Sequence, residues 1–243
     1  MKLKFSKNDF LTFKNLQNIK EYPLDIEKRL IEKTIRYIRL IKWIPGIQMI
    51  AVGNSVAMNS ANNNSDIDLF IVSSKNRLWT VRILITFIFQ ILGVRKNNKN
   101  HKKRFCLSFF CTTNALNFEK IAIKNDIYLY YWIIYLKPIL DYNSTYSTFI
   151  EENKKWCNFE DYNSILEGNK NSIFYKKDTL KYNCKILNLL EKLLKYIFIS
   201  KTKKSFMKLG NPFGVIINDD MLKFHDKDIR KEVRDKVIQK LEY

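Results

Sequence analysis

The sequence predicts a mixed α/β fold: a small mixed sheet flanked by helices, followed by an α-helical C-terminal region. Three observations predict it. Apolar runs of strand length occur at 47–52, 66–72 and 105–111. Stretches with helical spacing sit between and before them, at 24–43 and 77–93. Beyond Asn117 the helical pattern takes over, at 125–137, 146–159 and 181–200, with a charged helical tail from Leu222 onward. The order implies an α/β domain over 1–118 and a helical region over 119–243.

Each element has its own signal. In 24–43, Leu30, Ile31, Ile35, Ile38 and Ile41 recur at helical spacing among Lys and Arg, and Pro45-Gly46 ends the helix. The run IQMIAV is bounded by Gly46 and Gly53, as a buried strand should be. A polar stretch follows, with room for a short helix at its start, and leads into DIDLFIV, a second strand. The segment 77–93 is apolar almost all round and stops at Gly93, which predicts a buried helix. A basic loop then leads to the third strand, FCLSFFC. The tyrosine-rich run YLYYWIIY at 128–135 reads as helical core rather than as a platform for stacking bases.

Composition bounds the function. The 243 residues carry 43 Lys+Arg against 24 Asp+Glu, a formal charge of +19. A hydrophobic share of 46% excludes a disordered chain, and six Gly with four Pro exclude a linker-dominated one. The excess of base suits a polyanionic partner such as RNA, although the abundance of Lys, Asn and Ile also fits an A·T-rich coding bias. Cys106, Cys111, Cys157 and Cys184 form no CxxC pair, and His101 and His225 are the only histidines, so zinc ligation is not indicated. The thiols read as reduced core residues of a cytoplasmic protein. The N-terminus lacks the apolar core of a signal peptide, and the most apolar stretch, 78–92, is short of a bilayer span and contains Arg82 and Gln90.

The chemistry is concentrated in SDIDLFIV. Side chains alternate along a strand, so Asp66 and Asp68 share one face and Ile67 and Leu69 the other. Two carboxylates this close repel unless a cation sits between them, and Mg²⁺ is the natural candidate because it takes hard oxygen ligands together with phosphates. A solvated strand end is the plain alternative. About ten residues earlier, IQMIAV ends in Gly53-Asn54-Ser55 ahead of a short helix, where backbone N–H groups and a hydroxyl can meet phosphate.

Together the segment AVGNSVAMNSANNNSDIDLFIV resembles the signature of the polymerase-β-like nucleotidyltransferase superfamily: an apolar strand, a Gly-Ser turn, about ten residues, then Asp-x-Asp on the next strand. The resemblance covers roughly residues 25–118. It implies Mg-dependent transfer of a nucleoside monophosphate from a nucleoside triphosphate to an acceptor hydroxyl on RNA, protein or a small molecule. It implies that Asp66 and Asp68 hold the metal and act as the catalytic pair, and that Gly53, Asn54 and Ser55 contact phosphate. Two departures stand out. The usual Gly-Ser is Asn54-Ser55, and the third carboxylate that many members carry on a later strand is missing from RFCLSFFCTTNALNF. Ser108 or Cys106 stands where it is expected, and alternation groups Cys106, Ser108 and Phe110 on one face. Glu119 and Asp126 are the nearest acids. The missing acid leaves open a catalytically weak or inactive nucleotide- or RNA-binding module of the same fold.

Between Lys75 and Arg104 there are nine basic residues and no acid. Lys75 and Arg77 are expected near the mouth of the site, against triphosphate charge. The loop bearing Arg95, Lys96, Lys99, Lys102, Lys103 and Arg104 is a candidate surface for an RNA acceptor, and a solvated loop otherwise. The stretch Lys192–Lys208 holds six more lysines and no acid. His225, among charged residues, reads as a surface histidine.

Overall fold

The computed structural model describes residues 2–97, 100–178, 185–210 and 212–241, so Lys99 and Cys184 lie outside the described residues. The chain begins with α1 (Lys7–Leu16) and α2 (Asp25–Ile41), then β1 (Ile47–Val52), the one-turn helix α3 (Asn54–Ala57) and β2 (Ile67–Ser73). Next come α4 (Leu78–Ile91), β3 (Phe105–Thr112), α5 (Ile127–Tyr135) and β4 (Lys137–Tyr142). The remainder is α6 (Thr145–Lys154), α7 (Asn163–Asn171), β5 (Tyr175–Lys177), α8 (Lys185–Lys208), β6 (Val215–Ile217), β7 (Met221–Phe224) and α9 (Arg230–Leu241).

The seven strands form one mixed sheet in the order β5-β4-β1-β2-β3-β7-β6. The β2–β3 and β4–β5 pairs are parallel and the others antiparallel. Apolar residues on the two faces of the central strands build two cores. Met49, Ala51, Phe70, Val72, Phe109 and Cys111 face α1, α5, α6, α7 and α9. Ile50, Val52, Ile67, Leu69, Ile71, Phe105 and Phe110 face α2, α4 and α8. Nearly continuous burial along β1 and β2 follows from helices on both faces and explains their unbroken apolar sequences.

The mixed α/β class holds, and the three expected strands are present within a residue at each end. The stretch after residue 118 supplies the expected helices and also β4, β5, β6 and β7, so both halves of the chain build the sheet. The expected helical tail begins only at Arg230, because MLKF at 221–224 pairs as a strand along β3. Only four residues long and set among charges, β7 is too brief to show a period. The expected buried helix α4 is buried through Leu78–Val81, Ile85 and Phe89, yet Phe87 and Ile91 point to solvent. The segment 128–135 is core: Leu129, Tyr130, Tyr131 and Trp132 are all buried. Among the described residues, no helix is long and apolar enough to cross a membrane. Cys106, Cys111 and Cys157 are free thiols.

Candidate metal and phosphate site

The site is built where β1 turns into β2. Gly53 N donates to Asp68 O at 3.0 Å, which fastens the turn to the acidic strand. Gly53 is required by packing: a Cβ there would lie 2.8 Å from Trp132 Nε1. Asn54 adopts φ +51°, a left-handed conformation that Asn tolerates and most residues do not. Its side chain is oriented at both ends, accepting from Tyr128 Oη at 3.3 Å through Oδ1 and hydrogen-bonding the Asp68 carboxylate. The loop beyond is braced from beneath. Buried Glu27 accepts from Ala61 N at 2.9 Å, and Lys137 Nζ donates to Asn59 Oδ1 at 2.8 Å.

Asp66 and Asp68 converge with Cys106, their ligating atoms all within 4.8 Å of one another. The parallel register pairs Asp68 directly with Cys106. Burial, and next the Asp66 carboxylate, raise the Asp68 pKa to about 6, against opposing hydrogen bonds from Asn54 and Cys106 and the charge of Lys96. Lys96 Nζ lies 2.5 Å from Asp66 Oδ2. Burial works against its charge, but contact with Asp66 outweighs it and holds the ammonium above its ordinary range. Burial, and next Asp68, push the Cys106 thiol up to about 12, so it is neutral near pH 7.

The register then slips. Asp68 pairs with Cys106, but Phe70 pairs with Phe109, so β3 carries one extra residue in a bulge. This corrects the simple alternation. Phe109, not Phe110, joins the face of Cys106 and Ser108, while Phe110 packs in the opposite core. Ser108 does not enter the apolar core; its Oγ lies 3.3 Å from Cys106 Sγ and 3.3 Å from His225 Nε2.

His225 is not at the surface. β7 carries it to the edge of β3, where it is largely enclosed and its Nδ1 has no partner. Burial, and next Lys223, lower its pKa to about 4, with Asp228 opposing, so the ring is neutral near pH 7. Behind it Lys223, Asp228, Arg230 and Asp126 form a buried ion network. Asp126 therefore serves that network and caps α5 at Leu129 N rather than completing the acid pair, and Glu119 is exposed. No third carboxylate reaches the pair among the described residues.

Other expected residues lie elsewhere. Lys75 and Arg77 follow the C-terminal end of β2, about 17 Å along the strand from Asp68 at ~3.3 Å per residue. Arg77 is buried beneath Gly46 and donates to Asn76 O at 2.5 Å. In the basic loop, Arg104 donates to Gly93 O at the end of α4, and Arg95 Nη1 lies 3.5 Å from Gln90 Oε1. Lys103 N donates to Ser65 O at 2.7 Å, and Lys103 O accepts from Lys33 Nζ. Lys102 is exposed. Among the described residues of this loop only Lys96 enters the site, and it pairs with Asp66. Ser55 sits half-buried in the first turn of α3.

Chemically, the arrangement offers two hard carboxylate oxygens, a neutral thiol, an ammonium paired with Asp66, and a neutral imidazole one hydroxyl away. The roles of Lys96, His225 and Tyr128 depend on pairing distant in sequence and leave no local signature. Comparison of the chain with models of known families, with curated proteins and with solved structures returns no match.

Proposed function

We propose that the protein is a divalent-metal-dependent nucleotidyltransferase that moves a nucleoside monophosphate from a nucleoside triphosphate to an acceptor hydroxyl. The observation that carries this reading is the fastening of the Gly53-Asn54-Ser55 turn to Asp68, which sets the turn beside two carboxylates, as a phosphate cradle next to a metal requires. The donor set suits Mg²⁺ as a two-carboxylate site, with waters and phosphate oxygens filling the remaining positions. A neutral thiol is a poor ligand for so hard an ion, so Cys106 is left out of the set. When bound, the metal would neutralise charge on the triphosphate and its leaving group. Asp66 and Asp68 would hold it, Ser55 and nearby amides would orient the phosphates, and Lys96, released from Asp66, would be free to pair with phosphate. The nearest uncharged base is His225 Nε2, hydrogen-bonded to Ser108. Its lowered basicity would make proton removal slow.

The acceptor reading follows charge: Arg95, Lys102, Lys103 and Arg104 belong to the basic loop that leads into β3, and their charge suits RNA. Mostly shielded free thiols suit a reducing cytoplasm. A second reading has a specific observation in its favour. Cys106 stands opposite Asp68 and Lys96 already neutralises Asp66, an arrangement suited to binding nucleotide without turnover.

Incubation with α-labelled nucleoside triphosphates and Mg²⁺ tests both. Label transfer that Asp66→Asn and Asp68→Asn abolish supports the enzyme. Metal-dependent binding without transfer supports the second reading. If neither binding nor transfer occurs, both fall.

A further inference from the structure

We infer that α8 is an interfacial helix that docks the protein on an anionic phospholipid surface. Its rotation is fixed by one residue. Glu191, buried, accepts from Trp79 N at 2.9 Å through Oε1, and from Thr80 N and Thr80 Oγ1 at 2.7 Å through Oε2. This carboxylate satisfies the orphan N–H groups at the start of α4 and pins that face of α8 inward. Leu194, Phe198 and Ile199 pack beside it on the α2–α4 side of the sheet.

The outward face should then be polar, and it is not. Ile186 is 77% exposed, Leu189 68%, Leu193 52%, Tyr196 80% and Ile197 51%. At about 100° per residue, all five fall within about 60° of the direction opposite Glu191. They form one apolar stripe roughly three turns long. A helix apolar on its inner and outer faces alike is one whose outer face is covered by something.

The lysines say what covers it. Lys185 and Lys192 lie along one flank of the stripe; beyond its C-terminal end Lys203 continues that flank, Lys201 and Lys208 take the other, and Lys204 projects from the outward face. The only acid in α8 is Glu191, which is turned inward. An exposed aliphatic and tyrosine stripe bordered by lysines on one flank and at its C-terminal end matches a bilayer's acyl boundary beside anionic headgroups. Lysine stems extend over apolar surface while their ammonium groups reach phosphate. On the same side of the sheet, α4 leaves Phe87 and Ile91 exposed as well.

The full chain is tested by co-sedimentation with vesicles of phosphatidylglycerol and phosphatidylcholine, and with phosphatidylcholine alone. Binding is expected only to the anionic vesicles and should weaken with salt. The triple variant Leu189→Ser, Leu193→Ser, Ile197→Ser should bind at least tenfold more weakly and still unfold cooperatively with only a small drop in melting temperature, since each side chain is at least half exposed. Lys192→Gln, Lys201→Gln, Lys203→Gln should weaken binding and flatten its salt dependence. The inference is overturned if wild type ignores anionic vesicles at low salt, or if the apolar triple binds as well as wild type. It is also overturned if sedimentation velocity finds a dimer that the apolar triple dissociates, for then a second copy covers the stripe.

Discussion

Lys96 Nζ sits 2.5 Å from Asp66 Oδ2, so an ammonium occupies the flank of the carboxylate pair that a metal ion would share. A cation here relieves the repulsion between Asp66 and Asp68, and any metal must compete with it. Lys96→Met should therefore tighten binding of Mg²⁺ alone several-fold while lowering the thermal stability of the metal-free protein. Calorimetric titration with MgCl₂ checks the first effect and a melting curve the second. Unchanged Mg²⁺ affinity would detach Lys96 from the metal equilibrium.

The pH dependence carries two opposed signs. Asp68 has its pKa raised from 3.8 to about 6, so the folded state holds more protons than the unfolded one in that window, and this contribution falls as pH rises. His225 has its pKa lowered from 6.5 to about 4, so its contribution is lost as pH falls from about 6.5 toward 4. The two offset each other in the wild type. Asp68→Asn should unmask the histidine and lose stability on acidification across this window. His225→Gln should instead gain stability as pH drops from 6 to 4. Denaturant titrations at several pH values read both slopes, and parallel slopes in the two variants would contradict the assignment. Mg²⁺ affinity should also climb as pH rises through about 6, because the ion competes with the Asp68 proton.

Restoring a third carboxylate distinguishes two positions on β3. Cys106, not Ser108, is in register with Asp68 and within 4.8 Å of both acids. Cys106→Asp should strengthen Mg²⁺ binding more than Ser108→Asp does, and should destabilise the metal-free protein by adding a third like charge. The reverse ranking would mean that the bulge directs Ser108 at the metal.

The close approach of Gly53 to Trp132 leaves no room for a methyl group. Gly53→Ala should cost about 1–3 kcal/mol, the usual range for overpacking a filled core. Trp132→Phe should recover part of that loss in the double variant, because it removes the indole atom that the new Cβ would meet. Chemical denaturation of the two singles and the double gives the coupling directly.

What the sequence reveals and what it hides divide along contact distance. The strand Ile47–Val52 and the shared face of Asp66 and Asp68 follow from local pattern, and both stand as expected. The bulge in β3 is invisible locally, because nothing in FCLSFFC marks where the parallel register with β2 slips by one. Lys96 looks like one lysine among several; only the fold turns it, rather than Lys102, toward Asp66. Nearness in sequence to Asp68 suggests that Arg77 lies near the mouth of the site. Instead, the length of β2 carries it to the far end of the sheet. His225 sits among charges that suggest solvent, yet Lys223 and Arg230 are neutralised in the interior by Asp228 and Asp126 and draw it in.

Because β7 lies against β3, assembly of the site waits on protein synthesis. The acid pair, Lys96, Cys106 and Ser108 have all been synthesised by residue 108, but His225 follows 117 positions later. At roughly 5–20 residues per second, that gap is on the order of 10 s. Throughout it the outer edge of β3, rich in phenylalanine, lacks its partner strand and is open to wrong pairing. A nascent chain stalled inside α8 would carry both carboxylates, have no histidine beside Ser108, and offer an unpaired strand as a target for chaperones.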